Sequence, residues 1–190
     1  RGSGGFAALA PALPRGHAGA KRPALGYNSI GRNQRMIPDR VIEMLSGPSF
    51  VQIATRDESL RPAHTYAVGA LVHEDRQTVT VLVPTARAAR ILPHLESNGR
   101  VALGIAQASH EAYQLKGTYL ATRPTDADDL ARQETYRKAL LADARRAGFP
   151  EEIAWARTQG FAYVPSVAVT FRAEEVFLQT PGPGAWTRLS

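Results

Sequence analysis

Apolar and polar positions alternate in two periods along the chain, one near two residues and one near four, and the periods trade places repeatedly after residue 36. Val41, Ile42 and Leu45 recur at helical spacing behind Pro38 and Asp39, which predicts a short helix ended by Gly47-Pro48. Ser49–Thr55, Pro62–His73 and Thr78–Val83 are rich in β-branched and aromatic residues and read as three strands. Arg56–Ser59 is a polar turn, and Glu74–Gln77 joins the second strand to the third as a hairpin-like loop. A helix is predicted over Ala86–Ser97, closed by Asn98-Gly99. Val101–Ala106 and Tyr113–Thr122 are the fourth and fifth strands. Thr125 is the expected N-cap of a long helical stretch. Asp126, Asp128 and Asp129 suit the positive end of its dipole, and Arg145 and Arg146 the negative end. A short helix over Glu151–Thr158 follows, then a last strand over Pro165–Leu178 and a turn at Pro181–Gly184.

Short turns between most of these strands favour antiparallel pairing. The expected fold class is therefore mainly β (α+β): six antiparallel strands with flanking helices, able to close as a small barrel, and a helical insertion before the last strand. A doubly wound parallel sheet fits poorly, because only one early crossover is helical. No Gly-rich dinucleotide fingerprint and no Walker sequence occurs.

At 190 residues the chain is long enough for one well-buried core. It has no cysteine, which removes disulfides, thiolate metal sites and thiol nucleophiles. No apolar run reaches the ~18 residues of a membrane span. The formal charge of +6 resides in residues 1–35, which hold six basic and no acidic side chains. The other 155 residues hold 17 of each sign, so the body is neutral and the charge is no sign of a nucleic-acid-binding body. Residues 1–35 also hold seven of the 16 glycines and read as a basic Gly/Ala/Pro-rich tail, an upstream extension or cloning remnant before a start at Met36. The body is expected over residues 36–190 and in the cytoplasm.

Two segments can carry chemistry. In the first, a strand ending at Val83 feeds a helix start that holds Thr85, Arg87 and Arg90. Free backbone N–H groups, a hydroxyl donor and two guanidinium forks suit a phosphate monoester. The same residues also read as a surface helix with two solvated arginines. In the second, alternation puts Arg61, Ala63 and Thr65 on one strand face and Pro62, His64 and Tyr66 on the other. Arg61 offers another phosphate contact, and His64 and Thr65 offer hydrogen bonds to a planar ring; the plainer reading is that His64 and Tyr66 cover a sheet. The five histidines show no metal-ligand spacing, so no metal site is expected. Trp155 and Phe149 are expected to pack the helical insertion, and Tyr113 and Tyr119 the core.

The order of elements resembles the pyridoxamine 5'-phosphate oxidase-like, FMN-binding split-barrel superfamily. The residues that carry the resemblance are SFVQIATRDESLRPAHTYAV, TVTVLVPTARAARILPHLESNGRVALGIA and YQLKGTYLA, with Leu95–Leu103 as the strongest stretch. The resemblance implies a split barrel, a homodimer and two FMN sites at its interface. It implies cofactor contacts from Arg61, Pro62, His64, Thr65, Val83, Thr85, Arg87 and Arg90. Arg61, Thr85, Arg87 and Arg90 would hold the phosphate, and His64 and Thr65 would lie along the ring system.

The chain departs from the family pattern in several places. The phosphate-loop lysine is absent, its place falling at Ile91. The family oxidase's glutamine before the fifth strand is replaced by Ala112, with Gln114 two residues on. The C-terminus reads Trp186-Thr187-Arg188-Leu189-Ser190, and the helical insertion is long. The expected function is an FMN-dependent oxidoreductase acting on an unidentified small molecule, with no catalytic side chain assigned beyond His64 as a candidate. The alternative is a non-catalytic flavin- or haem-binding protein of the same fold. A third reading, nucleic-acid association, would rest on the basic tail alone.

Overall fold

The computed structural model describes residues 37–159 and 163–190. The basic tail, the start at Met36 and the boundary between tail and body lie outside the described residues.

Helix α1 (Asp39–Ser46) buries Val41 and Leu45, as its spacing predicts, with Met44 in place of the expected Ile42, which is half-buried. Strands β1 (Phe50–Arg56), β2 (Pro62–Tyr66), β3 (Ala70–Val72) and β4 (Thr78–Pro84) follow. Then come α2 (Thr85–Ala88), α3 (Leu92–Asn98), β5 (Arg100–Ala106) and β6 (Ala112–Pro124). The insertion is α4 (Ala127–Arg146) and α5 (Glu151–Gln159), and β7 (Ser166–Leu178) is last.

All seven strands join one antiparallel sheet in the order β2-β1-β5-β6-β7-β4-β3. The sheet is not closed, and this is a split-barrel-like α+β fold. Seven strands replace the expected six because the run Pro62–His73 changes partner partway. Ala67 N–H still donates to Val51 of β1, whereas Val68 N–H donates to Leu82 of β4. Gly69, at φ +144°, takes the conformation that lets the chain swing from one sheet edge to the other. The two edge strands are thus consecutive pieces of chain, and the split opens between β2 and the far half of β4.

Val51, Ile53, Val81, Leu103, Leu115 and Phe171 fill the interior. The side chains of Tyr113 and Tyr119 pack against this core, as expected. Val68, Leu82 and Ala168 form a second, smaller cluster with Tyr163 against it. Helix α4 lies beside it: a Cβ on Gly69 would stand 3.2 Å from Leu82 Cδ1 and 3.9 Å from the Gln133 Cα.

Other boundaries move for local reasons. The helix expected over Ala86–Ser97 breaks into α2 and α3, because Pro93 lies within the first two positions of α3 and has no N–H to continue the earlier turn. Gly99, at φ +67°, closes α3 by donating to Leu95 O at 2.9 Å. The N-cap of α4 is Asp126, not Thr125. Asp126 and Asp129 form a reciprocal capping box, and the Thr125 hydroxyl donates to Ser166 O at 3.1 Å. Trp155 does not pack the insertion; it is 58% exposed. The C-terminal residues fold back on β7, with Leu189 N–H donating to Val176 O at 2.7 Å.

Candidate functional site

Antiparallel pairing brings the predicted residues to one end of the barrel. β4 runs against β3, and β3 continues the direction of β2, so the C-terminal end of β4 and the N-terminal end of β2 share that end. Thr85, Arg87 and Arg90 leave β4 there, and Arg61 and Pro62 enter β2 there. Helix α3 spans the same end: His94 Nδ1 is 3.1 Å from Thr55 Oγ1, and Asn98 Nδ2 donates to Arg56 O at 2.5 Å. Ala88, Ile91 and Leu95 fill the barrel mouth beneath.

The arginines of the chain divide into paired and unpaired ones, and the division does not follow the two ends of the barrel: Arg100 at this end faces Glu174, while Arg132 and Arg172 elsewhere make no ion pair among the described residues. Arg40, Arg76, Arg100, Arg123, Arg137, Arg145, Arg146 and Arg188 each face a carboxylate. Among the described residues Arg56, Arg61 and Arg90 make no ion pair. Thr85 and Arg90 are exposed and Arg87 is half-buried. The Thr85 N–H is already used, donating to Pro165 O at 2.9 Å. Ile91, in the place of the family's lysine, is wholly buried and contributes to the core.

The second segment divides by face. Thr65 is buried beside Ala63, whereas Pro62, His64 and Tyr66 are exposed. His64 and Thr65 therefore do not present their side chains to one ring together. Because Ala67 N–H pairs with Val51 O, the odd-numbered residues of β2 face β1 with their main-chain groups. The N–H and carbonyl of His64 point the other way, to the open sheet edge. The Val83 side chain is wholly buried, so it offers no side-chain contact to a ligand. Pro62 lines an outer groove of about 430 Å3 that Arg56, Arg100 and Lys116 border together with Glu174 and Glu175, so its charge is mixed.

Sequence reasoning missed an aromatic cavity beside the open edge. Phe50, Tyr66, Val68, Tyr136, Leu140 and Tyr163 line about 230 Å3 between β2 and the insertion. The Tyr136 hydroxyl donates to Ser49 O at 2.7 Å and the Tyr163 hydroxyl to Thr158 O at 2.8 Å. Burial, with the Tyr163 hydroxyl nearby, pushes the Tyr136 phenol well above its ordinary value. Burial also raises Tyr163, with Arg137 and Arg87 acting against it and Glu134 with it. The tyrosines are visible in the sequence, but nothing local signals that positions 66, 136 and 163 converge.

These residues fit the phosphate end of FMN in charge and exposure, through Arg61, Arg90 and the Thr85 hydroxyl. They fit its ring system through the outward main-chain groups of β2. The buried Ile91 removes one contact of the family pattern. Among the described residues no group of three or more His, Cys, Asp or Glu is placed to hold a metal ion, and no helix is long and apolar enough to cross a membrane.

No protein-family model matches the sequence, and no curated protein matches it. Solved structures do resemble it. HupZ of Group A Streptococcus is 18% identical, over 79% of this chain and 99% of its own, at a TM-score of 0.47. An F420 reductase is 15% identical, over 74% and 98%, at 0.49. An FMN-binding protein from Syntrophomonas wolfei is 11% identical, over 74% and 76%, at 0.40.

Proposed function

We propose that this chain binds FMN and acts as a flavin-dependent oxidoreductase on a small molecule. The phosphate would be held by Arg61, Arg90 and the Thr85 hydroxyl, with Arg87 behind them. The ring system would lie along the open edge of β2, against the outward N–H and carbonyl of His64. The observation that carries this reading is the pair of arginines, Arg61 and Arg90, standing without carboxylate partners at one barrel end while most others are paired. An unpaired cluster of guanidinium groups is an anion receptor.

Bound FMN supplies electron transfer, and the chain supplies position and exclusion of water. The aromatic cavity beside β2 suits the apolar part of a substrate. A homodimer in the cytoplasm belongs to the same proposal, the second copy covering the outer sheet face where Ala54, Ala102 and Gly104 are half-exposed.

The test is an absorption spectrum of the purified protein before and after adding FMN, followed by gel filtration. Flavin bands that co-elute with the chain are the expected result; a colourless chain that retains no FMN rejects the reading. A second reading, haem binding without turnover, is favoured by one feature: the exposed His64 imidazole has no partner among the described residues and can ligate iron. A Soret band in the same spectrum would select it.

A further inference from the structure

We propose that the cleft between α1, β3 and α4 binds a small zwitterion, an α-amino acid in its charged form. Arg132 takes the carboxylate and Asp128 the ammonium group. This site is separate from the barrel end and does not rest on the flavin reading.

The cleft measures about 370 Å3 and is lined by Leu45, Ser46, Ala70, Asp128, Arg132 and Thr135 among others. Arg132 makes no ion pair and no hydrogen bond among the described residues, and its Nε is shielded from solvent without a partner. Leaving a desolvated charged donor unpaired is costly, and most buried polar atoms are satisfied. A carboxylate that approaches side-on uses Nε and one terminal nitrogen together, which is the donor pair left idle here.

The same cleft also holds groups that attract a cation. Asp128 stands four residues before Arg132 on α4, a spacing that allows an ion pair, yet the two make none. Helix α1 ends at Ser46 with no basic residue in its last turn, so its C-terminal carbonyls keep their partial negative charge. The Ser46 hydroxyl lacks a partner among the described residues, and the Thr135 hydroxyl, which donates to Ala131 O at 3.0 Å, can still accept. An anion alone would answer Arg132 and be repelled by Asp128 and the helix end. A cation alone would answer these and be repelled by Arg132. A ligand carrying both charges answers all of them. Leu45, Ala70 and Ala131 make much of the remaining wall apolar, which suits an uncharged side chain.

The test is titration of the 15N-labelled full chain with L-alanine, propionate or ethylamine. Expected are saturable shifts of the Ser46, Ala70 and Thr135 amides with L-alanine, at a Kd near 1 mM, about the affinity of a small two-charge ligand. Propionate and ethylamine should bind about tenfold more weakly or worse. Arg132→Gln and Asp128→Asn should each remove the L-alanine response, and Arg132→Lys, which keeps the charge but not the fork, should weaken it. Thermal melts matching the wild type show that these helix variants are folded. Absence of a saturable L-alanine response, propionate binding as tightly as L-alanine, or unchanged affinity in Arg132→Gln overturns the proposal.

Discussion

The Tyr136 hydroxyl donates to the carbonyl oxygen of Ser49 at 2.7 Å, joining the insertion helix to the start of β1 across 87 residues of chain. This bond fixes the wall that faces the open edge of β2. Its partners are buried, so no water replaces it easily. Tyr136→Phe keeps the ring and removes the donor, leaving the Ser49 carbonyl short of a partner. The expected cost is about 1–2 kcal/mol, read as a lower denaturation midpoint with an unchanged slope. A midpoint equal to the wild type would show that the wall does not depend on the bond.

Arg61, just before β2, and Arg90, between α2 and α3, stand at one barrel end, and neither has a carboxylate to neutralise it among the described residues. If both hold the FMN phosphate, Arg61→Ala and Arg90→Ala should each weaken FMN binding by about 1–3 kcal/mol, as for a lost charged hydrogen bond. Arg145→Ala is the control, since Arg145 pairs with Glu151 in the insertion. Titration of flavin fluorescence reads all three. Equal affinity in the three variants and the wild type would remove the phosphate assignment.

Most strands were legible because alternation is local: β1 buries every second residue, as SFVQIAT suggests. The split was not legible, since Pro62–His73 reads as one strand until Ala67 and Val68 are seen to bond different partners. The misplaced N-cap has the same origin. Thr125 and Asp126 are both good caps, and what separates them is Ser166, 41 residues away, which takes the Thr125 hydroxyl. The break before α3 could have been read, because Pro93 stood inside the predicted helix. Thr85, Arg87 and Arg90 were readable as residue types in sequence, but the opposite faces of His64 and Thr65 limited what the second segment offers. The aromatic cavity depends on tyrosines brought together only by folding.

The outer face of β1 and β5 places Ala54 opposite Ala102, with Gly104 two residues on. Such small side chains leave a flat surface suited to packing against a second sheet. Sedimentation equilibrium should give twice the 20.6 kDa chain mass, and Ala102→Arg should shift the protein toward the monomer by placing a long charged side chain on that face. A wild-type monomer at micromolar concentration would exclude the dimer and the shared site it implies.

Glu111 receives Arg40 through two hydrogen bonds, at 2.9 and 2.5 Å, and the Tyr113 hydroxyl at 2.9 Å. The Arg40 bonds, supported by Tyr113 and opposed by burial, hold its carboxyl below the ordinary value of 4.5. A depressed folded-state value means stability that is present above the unfolded value and lost as pH falls through the folded one. The stability difference between the wild type and Glu111→Gln should therefore be constant near neutrality and shrink as pH drops below 4.5. Urea titrations across that range read it. A difference independent of pH would mean that the carboxylate charge contributes nothing.

Gly117 lies at a register shift between β6 and β7, where the strands approach too closely for any side chain. A Cβ there would stand 1.9 Å from the Arg172 carbonyl oxygen and 2.8 Å from its carbon. Both are backbone atoms, so no rotamer change relieves the clash, and the ladder itself must part. Gly117→Ala should cost about 3 kcal/mol or more, the range of overpacking with backbone displacement. Gly104→Ala is the comparison: its Cβ would meet only Gln52 O, at 3.9 Å. That substitution should stay within about 1 kcal/mol of the wild type, because the contact is ordinary and alanine loses less entropy than glycine on folding. Denaturant unfolding of the two variants decides the matter. If Gly117→Ala is as stable as Gly104→Ala, the close approach of β6 to β7 does not depend on glycine, and the bulge has another cause.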